Sequence, residues 1–195
     1  DDPVHAPLGL EAAYAYERIA PGAAHAQHMT THIYHAMGMW DRLVAQNRIA
    51  IGPDSSRWQP GHYTYWLHYG LLQLGRADEA AGLLEQLHAH ARRPGAMNTN
   101  RRAILASARA QQVISAERWN DPSLAWELSL PAEAPVARAI DAFTRGYAAV
   151  QLGDLAAAER HLVSARQVTS DSPVAGLLAR QLDATIQRAR GDTAG

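Results

Sequence analysis

The chain has 195 residues, a formal net charge of −1, 47% hydrophobic residues, a single Phe and no cysteine. That length suffices for one domain with a real core, while the near-neutral charge supplies no global field to recruit nucleic acid or a membrane surface. Disulfides, thiolate nucleophiles and Cys-based zinc sites are excluded, and no apolar run is long enough to insert into a bilayer.

Taken in chain order, apolar periodicity and breaker residues predict helices over 8–19, 23–37, 39–51, 61–75, 77–92, 99–116, 122–128, 135–152, 155–168 and 173–190. Breaks fall at Pro21-Gly22, at 52–56 (Gly-Pro-Asp-Ser-Ser), at Arg93-Pro94-Gly95, around Pro131 and Pro135, and at 170–173 (Ser-Asp-Ser-Pro). None is long enough to separate domains, so a single helical domain is expected over 1–195, with a His- and aromatic-rich part at 11–91 and more regular repeats at 92–195. The opening Asp1-Asp2-Pro3-Val4-His5 carries no signal pattern. A soluble protein is expected, either cytoplasmic or exported after removal of a leader.

A repeated turn organises these helices. Gly38, Gly75, Gly153 and Gly191 each come after an apolar-periodic helix, at spacings of 37, 78 and 38 residues. Glycine supplies the left-handed residue that closes a helix. The middle spacing is twice 39, so one repeat has lost its glycine, and its turn is predicted within Ser115-Ala116-Glu117-Arg118-Trp119. A period of 37–39 residues built from helix pairs predicts an all-α, right-handed α-solenoid. The open last turn and the unpartnered first helix suggest a fragment of a longer array, or unusual caps.

The densest chemistry lies in the second predicted helix. His25, His28, His32 and His35 recur at offsets that hold four imidazoles within an arc of roughly 80° at about 100° per residue. Leu or Ala would fill a packing stripe with no polar atoms to satisfy. The stripe is therefore a metal or ligand surface, or a hydrogen-bonded polar seam. His28 and His32, at i and i+4, suit a single metal ion; three or four imidazoles suit Zn, Cu(II) or Ni.

Around the glycines the chain resembles tetratricopeptide repeats. Ala80 and Ala158 fall five residues after Gly75 and Gly153, Leu84 and Leu162 come four later, Ala165 completes the later repeat, and Gly146 matches the family's small residue on the first helix. A closer resemblance, over 11–80, is to a group of bacterial tetratricopeptide-type proteins. It rests on 20–34 (APGAAHAQHMTTHIY), on Gly38-Met39-Trp40-Asp41, and on the aromatic-rich 62–75 (HYTYWLHYGLLQLG). The group's shared segment reads approximately P-x-x-x-H-A-x-H-M-P-S-H-I-[FY]; here Thr30-Thr31 replaces Pro-Ser, and Tyr65 stands where Asp is common. The repeat resemblance implies stacked first helices on a concave face, which would bring His62 toward His25, His28 and His32.

The candidate metal set is therefore His25, His28, His32 and His62, for a divalent transition metal such as Zn or Cu. Glu11, Glu17 and Asp41 are the carboxylates nearest in sequence. Tyr34, Tyr65, Trp66 and Tyr69 are the candidate ligand-contacting aromatics, although inter-helix packing explains most of them equally well. His35 is expected to point partly toward the next helix, and His88, His90 and His161 to face solvent. The basic pairs Arg92-Arg93 and Arg101-Arg102 lack interleaved aromatics and do not support nucleic-acid binding.

Two functions fit this pattern. A helical-repeat scaffold would hold a peptide or protein partner against a His- and aromatic-lined concave surface. Alternatively the chain is a metal-binding protein or a metal-dependent hydrolase. Hydrolysis needs an open coordination position and a general base, and Met29-Thr30-Thr31 between the paired histidines supplies no base. The chain is thus expected to be a scaffold rather than an enzyme, with no catalytic residue assigned.

Overall fold

The computed structural model describes residues 2–54, 58–168 and 172–192. Its α-helices are α1 (Leu10–Ile19), α2 (Ala24–Ala36), α3 (Trp40–Ile51), α4 (His62–Gln73), α5 (Ala77–Ala91), α6 (Thr99–Ser115), α7 (Pro135–Gln151), α8 (Leu155–Arg166) and α9 (Pro173–Ala189). One-turn 3-10 segments lie at Ala6–Gly9 and Pro122–Ala125, and the described residues contain no strand. The predicted breaks at 55–56 and 170–171 lie outside the described residues. The all-α class and most helix bounds agree with the sequence, and no described helix is long and apolar enough to cross a membrane.

The chain divides into two compact units, Asp1–Arg92 and Arg93–Gly195. In the first, α2 packs on α1 and α3, α3 on α4, and α4 on α5; in the second, α7 packs on α6, α8 and α9, and α8 on α9. The division falls beside the predicted change at 91/92 from a His- and aromatic-rich part to more regular repeats.

One closing turn recurs in both units. Gly38, Gly75, Gly153 and Gly191 have φ of 67°, 70°, 78° and 82°, and Glu117 takes the same left-handed region at 51°. At each, the residue's N–H donates three residues back and the next N–H donates five back: Gly75 to the Leu72 carbonyl and Arg76 to Leu71, Glu117 to Ile114 and Arg118 to Val113. This double bond caps the last free carbonyls of the helix. The repeat predicted to have lost its glycine therefore keeps the turn, with Glu117 in the glycine's place.

The segment after Glu117 departs from the expectation of a helix over 122–128. Only the 3-10 turn at Pro122–Ala125 forms, and Trp126 is already extended at φ −75°, ψ 133°. Arginines satisfy the carbonyls that helical bonds would have used. Buried Arg109 donates from Nη1 to Ser123 and Trp126 at 3.1 and 3.0 Å, Arg145 donates to Trp126 at 2.6 Å, and Arg102 donates to Leu128 at 3.1 Å. Asp141 pairs with both Arg109 and Arg145. Pro122 and Pro131 bracket the segment, so its ends favour non-helical backbone.

The small residues sit at helix contacts. Ala80, Ala158 and Ala165 are fully buried, beside buried Leu84 and Leu162. A Cβ on Gly146 would come within 2.6 Å of the Leu182 side chain and 3.2 Å of His161. One on Gly70 would overlap Leu43 and meet Val44 at 3.0 Å. Glycine at position 70 thus lets α4 lie close on α3, which sets the distance from α4 to everything α3 supports.

Candidate metal centre

Three helices build the His cluster. α2 runs unbroken through it, its buried Thr30 and Thr31 hydroxyls donating to the Gln27 and His28 carbonyls at 2.7 and 2.6 Å. α3 lies beneath and contributes Asn47. α4 begins at His62, and its start is fixed by Thr64, whose hydroxyl donates to the Gln59 and Gly61 carbonyls and accepts from the Gly61 N–H at 3.1 Å. Such a capped first turn holds the chain entry in one orientation, and with it His62.

Asn47 decides the state of His28. Its amide nitrogen donates to the Leu43 carbonyl at 3.0 Å, which leaves its oxygen turned toward the imidazole; that oxygen accepts from His28 Nδ1 at 2.8 Å. The proton of neutral His28 therefore sits on Nδ1 and the lone pair on Nε2. His28 is fully buried, and Nε2 has no hydrogen-bond partner. Burial pushes its pKa down to about 4; the Asn47 bond opposes that shift, and the neighbouring His62, His32 and His25 add to it. At neutral pH His28 is thus an uncharged imidazole with an oriented, unused acceptor.

His32 and His62 pack against the His28 ring. One ring nitrogen from each of His28, His32 and His62 lies within 4.8 Å of the others, the only such group of metal-ligating side chains among the described residues. His28 is buried, His32 half-buried and His62 exposed. Ring centroids are 5.1 Å apart for His28–His32, 4.6 Å for His28–His62 and 5.9 Å for His32–His62. Burial, followed by the charges of His62 and His35, lowers the His32 pKa as well. Nitrogens on a tetrahedral zinc at 2.0–2.1 Å stand about 3.3 Å apart, so the more exposed His32 and His62 would close in upon the fixed His28.

The four-histidine expectation is therefore reduced to three. His25 is exposed and outside this group, its Nδ1 sharing a hydrogen bond with the Tyr63 hydroxyl at 3.3 Å. None of the predicted carboxylates joins. Glu17 accepts from the Tyr34 hydroxyl and lies 3.6 Å from Arg42, whereas Glu11 and Asp41 are exposed. The partner that orients His28 is an amide, Asn47, which sequence spacing did not single out. Its only sequence signal is a polar residue at a position where α3 would otherwise be apolar.

The aromatics divide differently from the expectation. Trp66 packs 4.4 Å from His32 and 4.8 Å from His35, and Tyr69 lies 5.6 Å from His35, so both belong to the wall beside the cluster. Tyr65 is half-buried on the same helix. Tyr34 is not part of that wall: it is fully buried, bonded to Glu17 and packed 6.2 Å from Tyr14, with Arg42 over the Tyr14 ring. Its pKa is raised, chiefly by burial and then by the Glu17 bond. Tyr63, not among the predicted contacts, stacks 4.3 Å from His28. His35 does turn toward the next helix, 5.5 Å from Trp40.

Three other histidines are less exposed than expected. His88, His90 and His161 are all half-buried, and burial lowers the pKa of His161.

A cavity of about 500 Å³ adjoins the cluster, lined by His25, Ala50, Ile51, Trp58, Gln59, Gly61, His62, Tyr63 and Thr64. His62 thus belongs both to the trihistidine group and to the cavity wall. No protein-family model, curated protein or solved structure matches this chain.

Proposed function

We propose that this is a helical-repeat protein whose N-terminal unit binds one divalent transition metal ion, Zn(II) or Cu(II), through His28, His32 and His62. The observation that carries the reading is the buried His28 Nε2 with no partner, its tautomer set by Asn47, on a ring grouped with two further imidazoles. An orphaned buried acceptor costs on the order of 1–3 kcal/mol, and a metal ion would turn that cost into a bond. The Nδ1–H to carbonyl-type oxygen arrangement is the usual outer support of a metal-bound histidine.

A metal-carrying or structural role fits better than hydrolysis, because the trihistidine group includes no carboxylate to act as general base. The interaction-scaffold reading rests on a different observation. Five turns of one hydrogen-bonding pattern, at Gly38, Gly75, Glu117, Gly153 and Gly191, support a right-handed α-solenoid of tetratricopeptide-like pairs, an architecture that holds peptide or protein partners by default.

Untagged protein stripped with chelator should take up about one equivalent of Zn(II) or Cu(II) by calorimetry near pH 7.5. His28→Ala and His32→Ala should abolish saturable uptake, and exposed His5→Ala should leave it intact. No saturable uptake by the parent protein would overturn the metal reading.

A further inference from the structure

We propose that the trihistidine centre, resting on the metal reading above, keeps one coordination position open to the adjoining cavity and binds there a small monocarboxylate with an apolar, ring-sized body. Charge balance comes first. Three neutral imidazoles leave a divalent ion with its full double charge, and among the described residues no Asp or Glu lines the cavity or joins the cluster. A doubly charged ion held partly out of water is strongly stabilised by an anionic fourth ligand. Zinc with three protein nitrogens keeps that fourth position for an exogenous group.

The direction of approach is set by which ligand is covered. His28 is buried, bonded to Asn47 and packed against Tyr63, and half-buried His32 packs against Trp66. His62 is the most exposed of the three and forms part of the cavity wall, so the cavity offers a ligand larger than water an approach to the ion. A volume of about 500 Å³ lies within the range of small-molecule sites.

Walls decide the body. Ala50, Ile51, Trp58 and Tyr63 supply apolar surface, and the Trp58 indole N–H is already spent on the Gly52 carbonyl at 3.0 Å, so this ring offers its face rather than a donor. His25 and Gln59 sit on the same wall as hydrogen-bonding groups for the carboxylate oxygen that does not meet the metal. An aryl or short branched alkyl acid satisfies both halves; a bare inorganic anion satisfies only the first.

The test uses Co(II), whose visible bands report its coordination. Protein loaded with one equivalent of Co(II) is titrated with phenylacetate, acetate and benzyl alcohol. Phenylacetate should perturb the bands at a concentration about tenfold or more below that needed for acetate, the advantage expected from burying one ring. Benzyl alcohol, which has the body without the charge, should leave them unchanged. Trp58→Ala should bring the phenylacetate midpoint to that of acetate, and the milder Ile51→Ala should move it the same way. Bound Co(II) with equal midpoints for the two acids, with no response to phenylacetate, or with a matching response to benzyl alcohol would overturn the proposal and leave the metal reading standing. Failure to take up Zn(II), Cu(II) or Co(II) would overturn both.

Discussion

Helices α2 and α7 hold the same place in their units, each closed by a left-handed glycine and packed on the next helix in the chain. Their buried faces have little in common. α7 buries Ala137, Ala139, Ala142, Phe143, Thr144, Gly146, Ala148 and Ala149, a surface of small side chains around one ring. α2 buries Gln27, His28, Thr30, Thr31 and Tyr34, every one carrying a polar atom. Since small apolar residues suffice for the architecture in α7, the polarity of α2 answers another need. Most of it is satisfied locally: Gln27 donates to the Ala20 and Glu17 carbonyls, both threonines bond within α2, and Tyr34 bonds Glu17. His28 Nε2 is left unsatisfied on this face, the feature on which the proposed metal binding rests.

The second unit also buries one costly group, but gives it structural partners. Arg109 is fully buried, paired with Asp141 and bonded to two carbonyls of the segment after Glu117. Arg109→Met should be the most damaging change considered, lowering unfolding free energy by about 3–5 kcal/mol in urea titrations, because carbonyls and a carboxylate lose their cation together. If the two units carry separate burdens, metal uptake should survive at concentrations where that variant remains folded. A loss below about 1 kcal/mol would show that the arginine does not hold the 122–130 segment.

Acid should strike the first unit through His28. The unfolded chain takes up this proton near the ordinary value of 6.5, whereas the folded one resists until about 4. Stability from this group is therefore complete above pH 6.5 and falls as pH drops toward 4, by a total of about 3 kcal/mol. Urea midpoints of metal-free protein at pH 7.5, 5.5 and 4.5 should decline in that order, and the decline should shrink in His28→Leu/Asn47→Leu, which removes both buried partners. A parent protein and double variant with the same pH slope would refute the assignment.

Gly70 and Gly146 offer a matched pair, one in each unit. Alanine at either place meets a leucine side chain, Leu43 or Leu182, and should cost about 1–3 kcal/mol by overpacking. Only Gly70→Ala should also weaken metal binding, since it pushes α4, and hence His62, away from α3. Equal metal affinity in the two variants would mean that the site tolerates movement of α4.

Much of the helical order was legible because Gly, Pro and apolar period mark it locally. Gly38, Gly75 and Gly153 announced their turns, and the doubled spacing announced the one at 115–119. The segment at 122–128 misled because its residues carry helical periodicity, while its conformation is decided by carbonyl capture by Arg102, Arg109 and Arg145 from elsewhere in the sequence. In the site, the stripe offsets identified His28 and His32 and the repeat resemblance brought in His62. Angular position alone could not exclude His25, which lies a turn nearer the exposed start of α2, nor reveal that Tyr34 faces α1. Asn47 was hidden because its role depends on which of its two ends the Leu43 carbonyl takes.

The smallest expected effect tests whether the two units share one closing turn. Glu117 adopts φ of 51°, where a Cβ crowds the following carbonyl, while four other turns use glycine. The strain of a non-glycine residue there is about 1–2 kcal/mol, and glycine would relieve it at the cost of a more flexible unfolded chain. Glu117→Gly should therefore raise the stability of the protein by about 0.5–1 kcal/mol, seen as a rise of a few degrees in melting temperature. Gly75→Glu, the reciprocal change in the first unit, should lower stability by a similar amount, because its Cβ meets nothing within 4 Å and only the backbone conformation resists it. Opposite signs of comparable size would establish that the turns are energetically equivalent. If Glu117→Gly instead lowered the melting temperature, the carboxylate side chain would be contributing more than its backbone costs, and the turn at 117 would be a separate device rather than the same one with its glycine replaced.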